Sequence, residues 1–471
     1  MPHQSTAKEP GRYAALAPNR KSTLRILRQI TITFVSIVAI ARLGFPSGFS
    51  IPRKTATYHQ HQYRSIMISL SNAFDAVIVG GGPAGSVTAI LLARLGWSVA
   101  LIEKGDRFRN KCCGGCLSAR AAADLHSLDL LHSLDAAKLF PTDSVRIHLA
   151  SSSSRDRTFR FSTSSRAALY SRAIMDQSLT DVAASLGVRV FQPCSAHAFA
   201  RQDHGWKVTL RAQSHESMRI ISARLLIGAD GLGSRVARSA GLQIAEKSAH
   251  RSRSYGFSVD LPKSLIPALH GLDDNCVEMF VLDDGYVGIV KSDEQRGGHL
   301  GALVHRNCAK MARNPAEYLA FGATRCPSLH ALKTLSSDLM RTKSFSAVGP
   351  MPWSVRAIAS KNLALVGDAA GYVEPFTGEG IAWAIRSAKC LAEAAAEAPM
   401  RTWNSRTCAV YQQLWRSHIR SRHHVCKAVT SAVQRPMLAN TILRAANAFP
   451  RVASHVIHHL VLSERTAEIP S

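Results

Sequence analysis

The chain has 471 residues, 46% of them apolar, and a formal net charge of +26. That length holds two or three domains with ample core, and the charge favours anionic ligands or surfaces. The basic residues form no stripe interleaved with aromatics, which argues against specific nucleic-acid binding. The ten cysteines are too dispersed for a disulfide framework, which points to a reducing, cytoplasmic setting.

Residues 1–66 carry the strongest charge bias. Ten of the Lys and Arg residues lie in the first 70 positions against one acid, Glu9. The apolar run Ile30–Ile40 extends to Phe45 but is broken by Arg42, and falls short of the ~20 residues a bilayer span needs. We read this segment as a basic extension outside the fold. Its alternatives are a targeting signal or an interfacial anchor. Met67 stands just ahead of the first strand-like run, which makes it an alternative start.

Phe74–Val79 reads as a buried strand, and Gly80-Gly81-Gly82-Pro83-Ala84-Gly85 follows it directly. A helix-like segment ending near Gly96 leads to a second apolar run that closes on Glu103. This is the dinucleotide fingerprint in its strand–turn–helix context. Gly80 permits the tight turn, Gly82 admits a pyrophosphate, and Gly85 lets the helix pack on the strand. Glu103 is placed to accept ribose hydroxyls, and a carboxylate there repels a 2′-phosphate.

The cluster Cys112-Cys113-Gly114-Gly115-Cys116 contains a C-x-x-C, but no second pair stands at metal-site spacing, so no metal is expected. A redox dithiol is the sharper reading, with Lys111 and glycine N–H groups lowering a thiol pKa. His455 and His459 stand at i,i+4 with no acid between them and read as a solvated helix face.

Two further strand–glycine turns follow. Leu225–Arg238 ends a strand at Ala229-Asp230-Gly231, where Asp230 is placed to brace the loop. Leu363–Ser387 ends one at Gly367-Asp368, and a loop with Gly371, Gly378 and Gly380 opens a helix near Ile381. Between them, Ser144–Leu149, Ser254–Leu261, Val277–Val281 and Tyr286–Val290 alternate with period two, as a sheet with one buried face does. After Arg401 the chain reads as basic helix. Its apolar stripe, including Pro450–Leu462, suits packing on the domain or, alternatively, peripheral contact with a membrane.

The three glycine motifs, in this order, resemble flavoproteins of the p-hydroxybenzoate hydroxylase-like fold, and within them the geranylgeranyl reductase family. The residues carrying that likeness are Lys111-Cys112-Cys113-Gly114-Gly115, like K-x-C-G-G; Ser171-Arg172 with Asp176, like S-R-x-x-F-D; and Pro375-Phe376-Thr377-Gly378-Glu379-Gly380-Ile381, like P-x-x-G-E-G-I. Met175 departs from the pattern, where an aromatic is usual, and Cys112 and Cys116 are extra thiols.

The resemblance implies an α/β fold. A Rossmann-like FAD-binding domain (71–131, 161–241, 348–398) is interleaved with a β-sheet substrate domain (132–160, 242–347), and a helical segment (399–471) follows. It implies FAD held by Gly80, Gly82, Pro83, Ala84, Gly85, Glu103 and Lys104 at the ADP half. Arg172 and Arg120 would serve the phosphates, Asp230-Gly231 the pyrophosphate, and Gly367-Asp368 the ribityl chain. Pro375, Gly378, Glu379, Gly380 and Ile381 would line the ring. Cys113 and Tyr286 are candidate catalytic groups.

The implied activity is FAD-dependent reduction of a carbon–carbon double bond in an isoprenoid or similar apolar small molecule, with NAD(P)H or another reductant as transient donor. The alternative on the same fold is a monooxygenase that hydroxylates an aromatic or polyketide-like ring with NAD(P)H and oxygen. The oligomeric state has no sequence signal.

Overall fold

The run Ala73–Val79 is β1, buried beyond its first residue and central in an eight-stranded sheet. Pro83–Arg94 is α1 and Val99–Ile102 is β2, which pairs parallel to β1. Proline opens α1, where its missing N–H is not needed, and Gly96 (φ +78°) terminates it in the left-handed region.

The computed structural model describes residues 72–105, 111–134, 140–149, 157–169, 171–212, 218–244, 254–269, 271–291, 297–305, 315–325, 345–351, 354–374 and 376–457. They belong to one unit, Gln62–Ser471. The basic extension 1–66, Pro375 and His459 lie outside the described residues.

After β2 the chain passes to a second eight-stranded sheet through β3 (Cys116–Leu117), α2 (Ala119–Ser127), β4 (Phe140–Leu149) and β5 (Arg157–Leu169). It returns by α3 (Arg172–Ser185) to β6 (Arg189–Phe191), which extends the first sheet parallel to β2. A meander follows: β7 (Cys194–Gln202), β8 (Gly205–Ala212) and β9 (Met218–Gly228), then the short α4 (Arg235–Ser239). β10 (Ser254–Leu261), β11 (Cys276–Leu282), β12 (Gly285–Lys291), β13 (Gly298–His305), α5 (Pro315–Arg325) and β14 (Ser346–Met351) form the rest of the second sheet and its covering helix.

β15 (Ala359–Ser360) and β16 (Leu363–Leu365) then rejoin the first sheet, and α6 (Gly380–Ala396) packs along α1. Four helices close the described chain: α7 (Ser405–Trp415), α8 (Ser421–Val433), α9 (Pro436–Ala448) and α10 (Pro450–Ile457). A π-turn at Arg416–Arg420 joins α7 to α8.

The first sheet runs β15-β16-β9-β1-β2-β6, with β7 and β8 attached through β9. One edge of β9 pairs with β1. On its other edge β8 takes Met218–Ala223 and β16 takes Leu226–Gly228.

The second sheet runs β14-β10-β13-β12-β11-β4-β5-β3. The four alternating runs read from the sequence fall in β4, β10, β11 and β12. β5 carries this sheet to Leu169 and β14 to Met351, so its strands cross the expected limits at 161 and 348. One face holds Phe257, Val259, Val287, Ile289, Leu300 and Val304 against Tyr318 and Leu319 of α5. The opposite face carries a row of small side chains, with Ser258 facing Gly301 and Gly301 facing Gly288.

The C-terminal helices pack in part on the domain, whereas most described residues of Pro450–Ile457 are exposed. Trp403 and Tyr411 are buried, and the Tyr411 hydroxyl donates to the Leu365 carbonyl. Ala439 and Leu443 of α9 meet Leu149, Phe159 and Val281 of the second sheet. Among the described residues no helix is long and apolar enough to cross a membrane.

Candidate active site

Register brings the three glycine turns together. Val79 pairs with Gly228 and Gly228 with Leu365, so β1, β9 and β16 end side by side. The turns that leave them share the carboxyl edge of a parallel sheet, where ligands of such folds bind.

The glycines are explained by what surrounds them. A methyl on Gly80 (φ +110°) would lie 2.2 Å from the Ala229 carbonyl oxygen, and one on Gly85 would lie 1.8 Å from the Gly80 carbonyl oxygen. These two close the first turn against the second and against its own helix. Gly82 differs: the nearest atom to an added methyl is Arg172 Nη2, at 3.8 Å. Gly82 caps α1 with no side-chain hydrogen bond, and the first turn holds no acid. The helix therefore directs N–H groups and its positive end into a space that Arg172 borders, which suits a diphosphate. Pro83 and Ala84 are buried in the first turn, and Ala84 lies under Gly367: a methyl there would be 2.8 Å from the Ala84 Cβ.

Glu103 is buried, and its carboxylate accepts from Gly81 N–H at 2.8 Å and Gly105 N–H at 2.7 Å, with Lys111 Nζ at 3.4 Å. Burial alone raises its pKa, but Lys111 and the two backbone donors outweigh that and hold it below the usual glutamate value. Lys104 beside it is exposed. Lys111 also reaches Asp176 at 3.3 Å. Asp176 in turn receives Arg172 through Nε and Nη2, each at 3.1 Å. Burial opposes the Arg172 charge, but Asp176 and Cys113 favour it more strongly, and the Cys113 sulfur is within hydrogen-bond reach of the guanidinium.

In the second turn Asp230 braces the loop. It accepts from Ser234 Oγ, from Arg235 N–H at 2.6 Å and from Val236 N–H at 3.2 Å, while Gly231 (φ +73°) makes the bend. In the third, Gly367 N–H donates to Ser387 Oγ of α6 at 2.8 Å. Burial pushes Asp368 up to about 6, with Arg172 opposing. Gly378 (φ +72°), buried Glu379, Gly380 and buried Ile381 form the start of α6. Arg120 meets the third turn's loop. It is buried in α2 against Glu379 at 3.4 Å, where it fixes the α6 N-terminus.

The cysteine loop lies on the small-residue face of the second sheet. Cys113 N–H donates to Ser258 Oγ at 3.2 Å, and its carbonyl meets His299 Nε2 at 2.7 Å. The other ring nitrogen of His299 contacts Asp260 at 2.8 Å. Gly301 leaves room for Gly114, whose Cα would stand 3.2 Å from an added methyl. Lys111, expected to lower a thiol pKa, pairs with two carboxylates instead. Burial pushes Cys112 and Cys116 each up to about 12. All described cysteines are free thiols, and no metal-holding cluster occurs among the described residues.

Tyr286 faces the third turn. Its ring meets Phe376 edge-on at 5.1 Å, and burial raises its phenol well above the usual value. Tyr372, Glu374 and Cys426 of α8 are its electrostatic neighbours.

Residues 73–413 match the family model described as FAD binding domain. The chain belongs to this FAD-binding family. It is an FAD-dependent oxidoreductase, and the cradle around Gly82 and Arg172 fits that cofactor. The flavoprotein is 26% identical over 367 residues to digeranylgeranylglycerophospholipid reductase 1 of Methanothermobacter thermautotrophicus, covering 75% of this chain and 85% of that protein. It is 27% identical over 349 residues to the menaquinone reductase of Mycobacterium tuberculosis, covering 69% and 77%. The crystal structure of halogenase PltM with phloroglucinol and FAD superposes with a TM-score of 0.64 at 14% identity, covering 82% of this chain and 83% of that one, which shows a shared fold.

Proposed function

We propose that this flavoprotein saturates carbon–carbon double bonds of a polyprenyl substrate, with NAD(P)H or another reductant as transient electron donor. The observation that carries the reading is the cysteine loop. It joins Arg172 on the nucleotide side to Ser258 and His299 on the second sheet, so Cys113 stands between cofactor cradle and sheet. The names of the two relatives support a reductase of isoprenoid-bearing molecules.

When bound, FAD supplies two-electron hydride chemistry. The protein's part is positioning and electrostatics. The α1 N-terminus and Arg172 would hold the diphosphate, and Glu103 would accept from the ribose hydroxyls. Asp368 would serve the ribityl chain, and the positive end of α6, with Gly378–Ile381, would support the electron-rich edge of the ring. The second sheet would form the wall over the ring.

The same reading places the substrate at a membrane surface. No Asp or Glu occurs between Glu397 and Glu464, and nine Lys or Arg residues do. Along α9, α10 and their flanking residues, Met437 (87% exposed), Ile442, Phe449 and Val452 are exposed, as are Arg435, Arg444 and Arg451. Apolar side chains among cations match an anionic lipid surface.

Anaerobic incubation of reduced enzyme with a prenylated lipid, followed by mass spectrometry, tests the reading. One added H2 per double bond is expected. Oxygen-dependent hydroxylation of an aromatic ring, with no alkene reduction, would establish the monooxygenase instead.

A further inference from the structure

We propose that Glu374 is the proton donor of this reduction, placed by the third turn opposite Tyr286. The inference rests on the reductase reading above. A hydride reduces an alkene only if a proton reaches the second carbon, and an isolated trisubstituted alkene accepts hydride poorly until it is protonated.

Glu374 lies midway between Asp368 and the α6 N-terminus, on the loop expected to face the ring. Its backbone is fixed at two points: the carbonyl accepts from Phe376 N–H at 3.0 Å and from Cys426 Sγ at 3.2 Å. Its carboxyl accepts from Gln434 Nε2 at 3.2 Å, and Gln434 is exposed. The groups facing it are Tyr286 from β12, Tyr372 with Asp368 from its own loop, Cys426 from α8, and the neutral Gln434. The carboxyl thus has two tyrosines as electrostatic neighbours and a direct hydrogen bond from an exposed amide.

Burial, against the Gln434 hydrogen bond, raises Glu374 to about 7. That suits an acid that must both give and regain a proton near neutrality. Tyr286 and Tyr372 are raised far above that range, and burial raises the Cys426 thiol, so none of the three competes as an acid.

In the step, the Glu374 O–H bond breaks and the alkene π pair forms a C–H bond at the less substituted carbon. Positive charge at the neighbouring carbon is met by the rings of Tyr286, Tyr372 and Phe376. The hydride that completes the reduction at that carbon would be supplied by bound, reduced FAD, with the loss of two electrons. Glu374 is left as carboxylate and takes a proton from solvent on the Gln434 side. A reduced nicotinamide restores the two electrons.

The test compares wild type, Glu374→Gln and Glu374→Asp. In apoprotein carrying carboxyl-labelled glutamate, infrared titration should show a carboxylic acid band lost around neutral pH in wild type and absent from Glu374→Gln. In holoprotein, Glu374→Gln should keep FAD affinity and the rate of flavin reduction by the donor, while alkene reduction falls at least a hundredfold. Glu374→Asp should restore part of that rate, with a shifted pH profile. Wild-type alkene reduction that Glu374→Gln matches in rate and pH profile overturns the proton-donor assignment and leaves the reductase reading standing. So does a titrating band that survives in Glu374→Gln. Absence of alkene reduction in wild type overturns the reading itself, and the assignment with it.

Discussion

Arg172 grips Asp176 with two parallel hydrogen bonds, Nε to Oδ1 and Nη2 to Oδ2, each 3.1 Å long. A planar fork held this way has little rotamer freedom left, so the guanidinium is pre-set beside Gly82 before any ligand arrives. Replacing Arg172 by Ala should weaken FAD binding by roughly tenfold to a hundredfold, about 1.5–3 kcal/mol for charge-assisted contacts. Fluorescence titration of apoprotein reads this directly. Asp176→Asn should produce a smaller loss, because the charge remains and only its aim is relaxed.

Glycines in the three turns should separate into two classes. Gly85→Ala places a methyl 1.8 Å from a backbone oxygen, so it should cost about 3 kcal/mol or more. Gly231→Ala meets nothing within 4 Å and suffers only its positive φ, which costs about 1 kcal/mol. Thermal unfolding of the two apoprotein variants gives the comparison.

Stability should respond to pH in opposite senses at two carboxylates. Asp368 is raised, so the folded apoprotein binds more protons than the unfolded chain between pH 3.8 and about 6. Stability should fall as pH rises through that window, and Asp368→Asn should remove the slope. Glu103 is depressed, so its contribution is complete above the unfolded value of 4.5 and is lost as pH falls through the lower folded value. Glu103→Gln should flatten the acid limb of a denaturation series.

The three thiols of the cysteine loop should not be equivalent. Cys112 and Cys116, each pushed up to about 12, should alkylate slowly at pH 8, and the double Ser variant should keep both FAD and turnover. Cys113→Ser should keep FAD and lose turnover, since that sulfur borders Arg172.

Vesicle sedimentation tests the basic helices. Binding to phosphatidylserine-containing vesicles should exceed binding to phosphatidylcholine vesicles. Reversing Arg435, Arg444 and Arg451 to Glu should abolish the difference, at about 1 kcal/mol per removed cation.

The geometry of the first two glycine turns was legible in the sequence because its determinants are local. Gly80, Gly82, Gly85 and Glu103 fall within one βαβ unit, and Asp230 braces residues only a few positions away. The Arg120–Glu379 pair was not legible, because no local pattern says that a helical arginine turns toward Glu379. The contact arises from packing α2 against the start of α6. Lys111 was assigned to a thiol for the same reason: its true partners, Glu103 and Asp176, lie on a strand end and a separate helix. Glu374 carried no signal at all. The role proposed for it depends on β12 and α8, which supply Tyr286 and Cys426 from distant parts of the chain. The period-two runs gave the second sheet's strands, but not which face the cysteine loop would choose. The row Ser258, Gly301 and Gly288 decides that, and it emerges only when register aligns three strands.

β1 has a consequence for synthesis on the ribosome. It sits between β2, which follows at once, and β9, which emerges only after the second sheet has been entered and left. Throughout that interval one edge of this buried strand lacks its native neighbour, and Gly80 has no Ala229 carbonyl to close upon. The nascent N-terminal segment is therefore a natural client for chaperones, and its commitment to the native form waits on Met218–Gly228 clearing the exit tunnel.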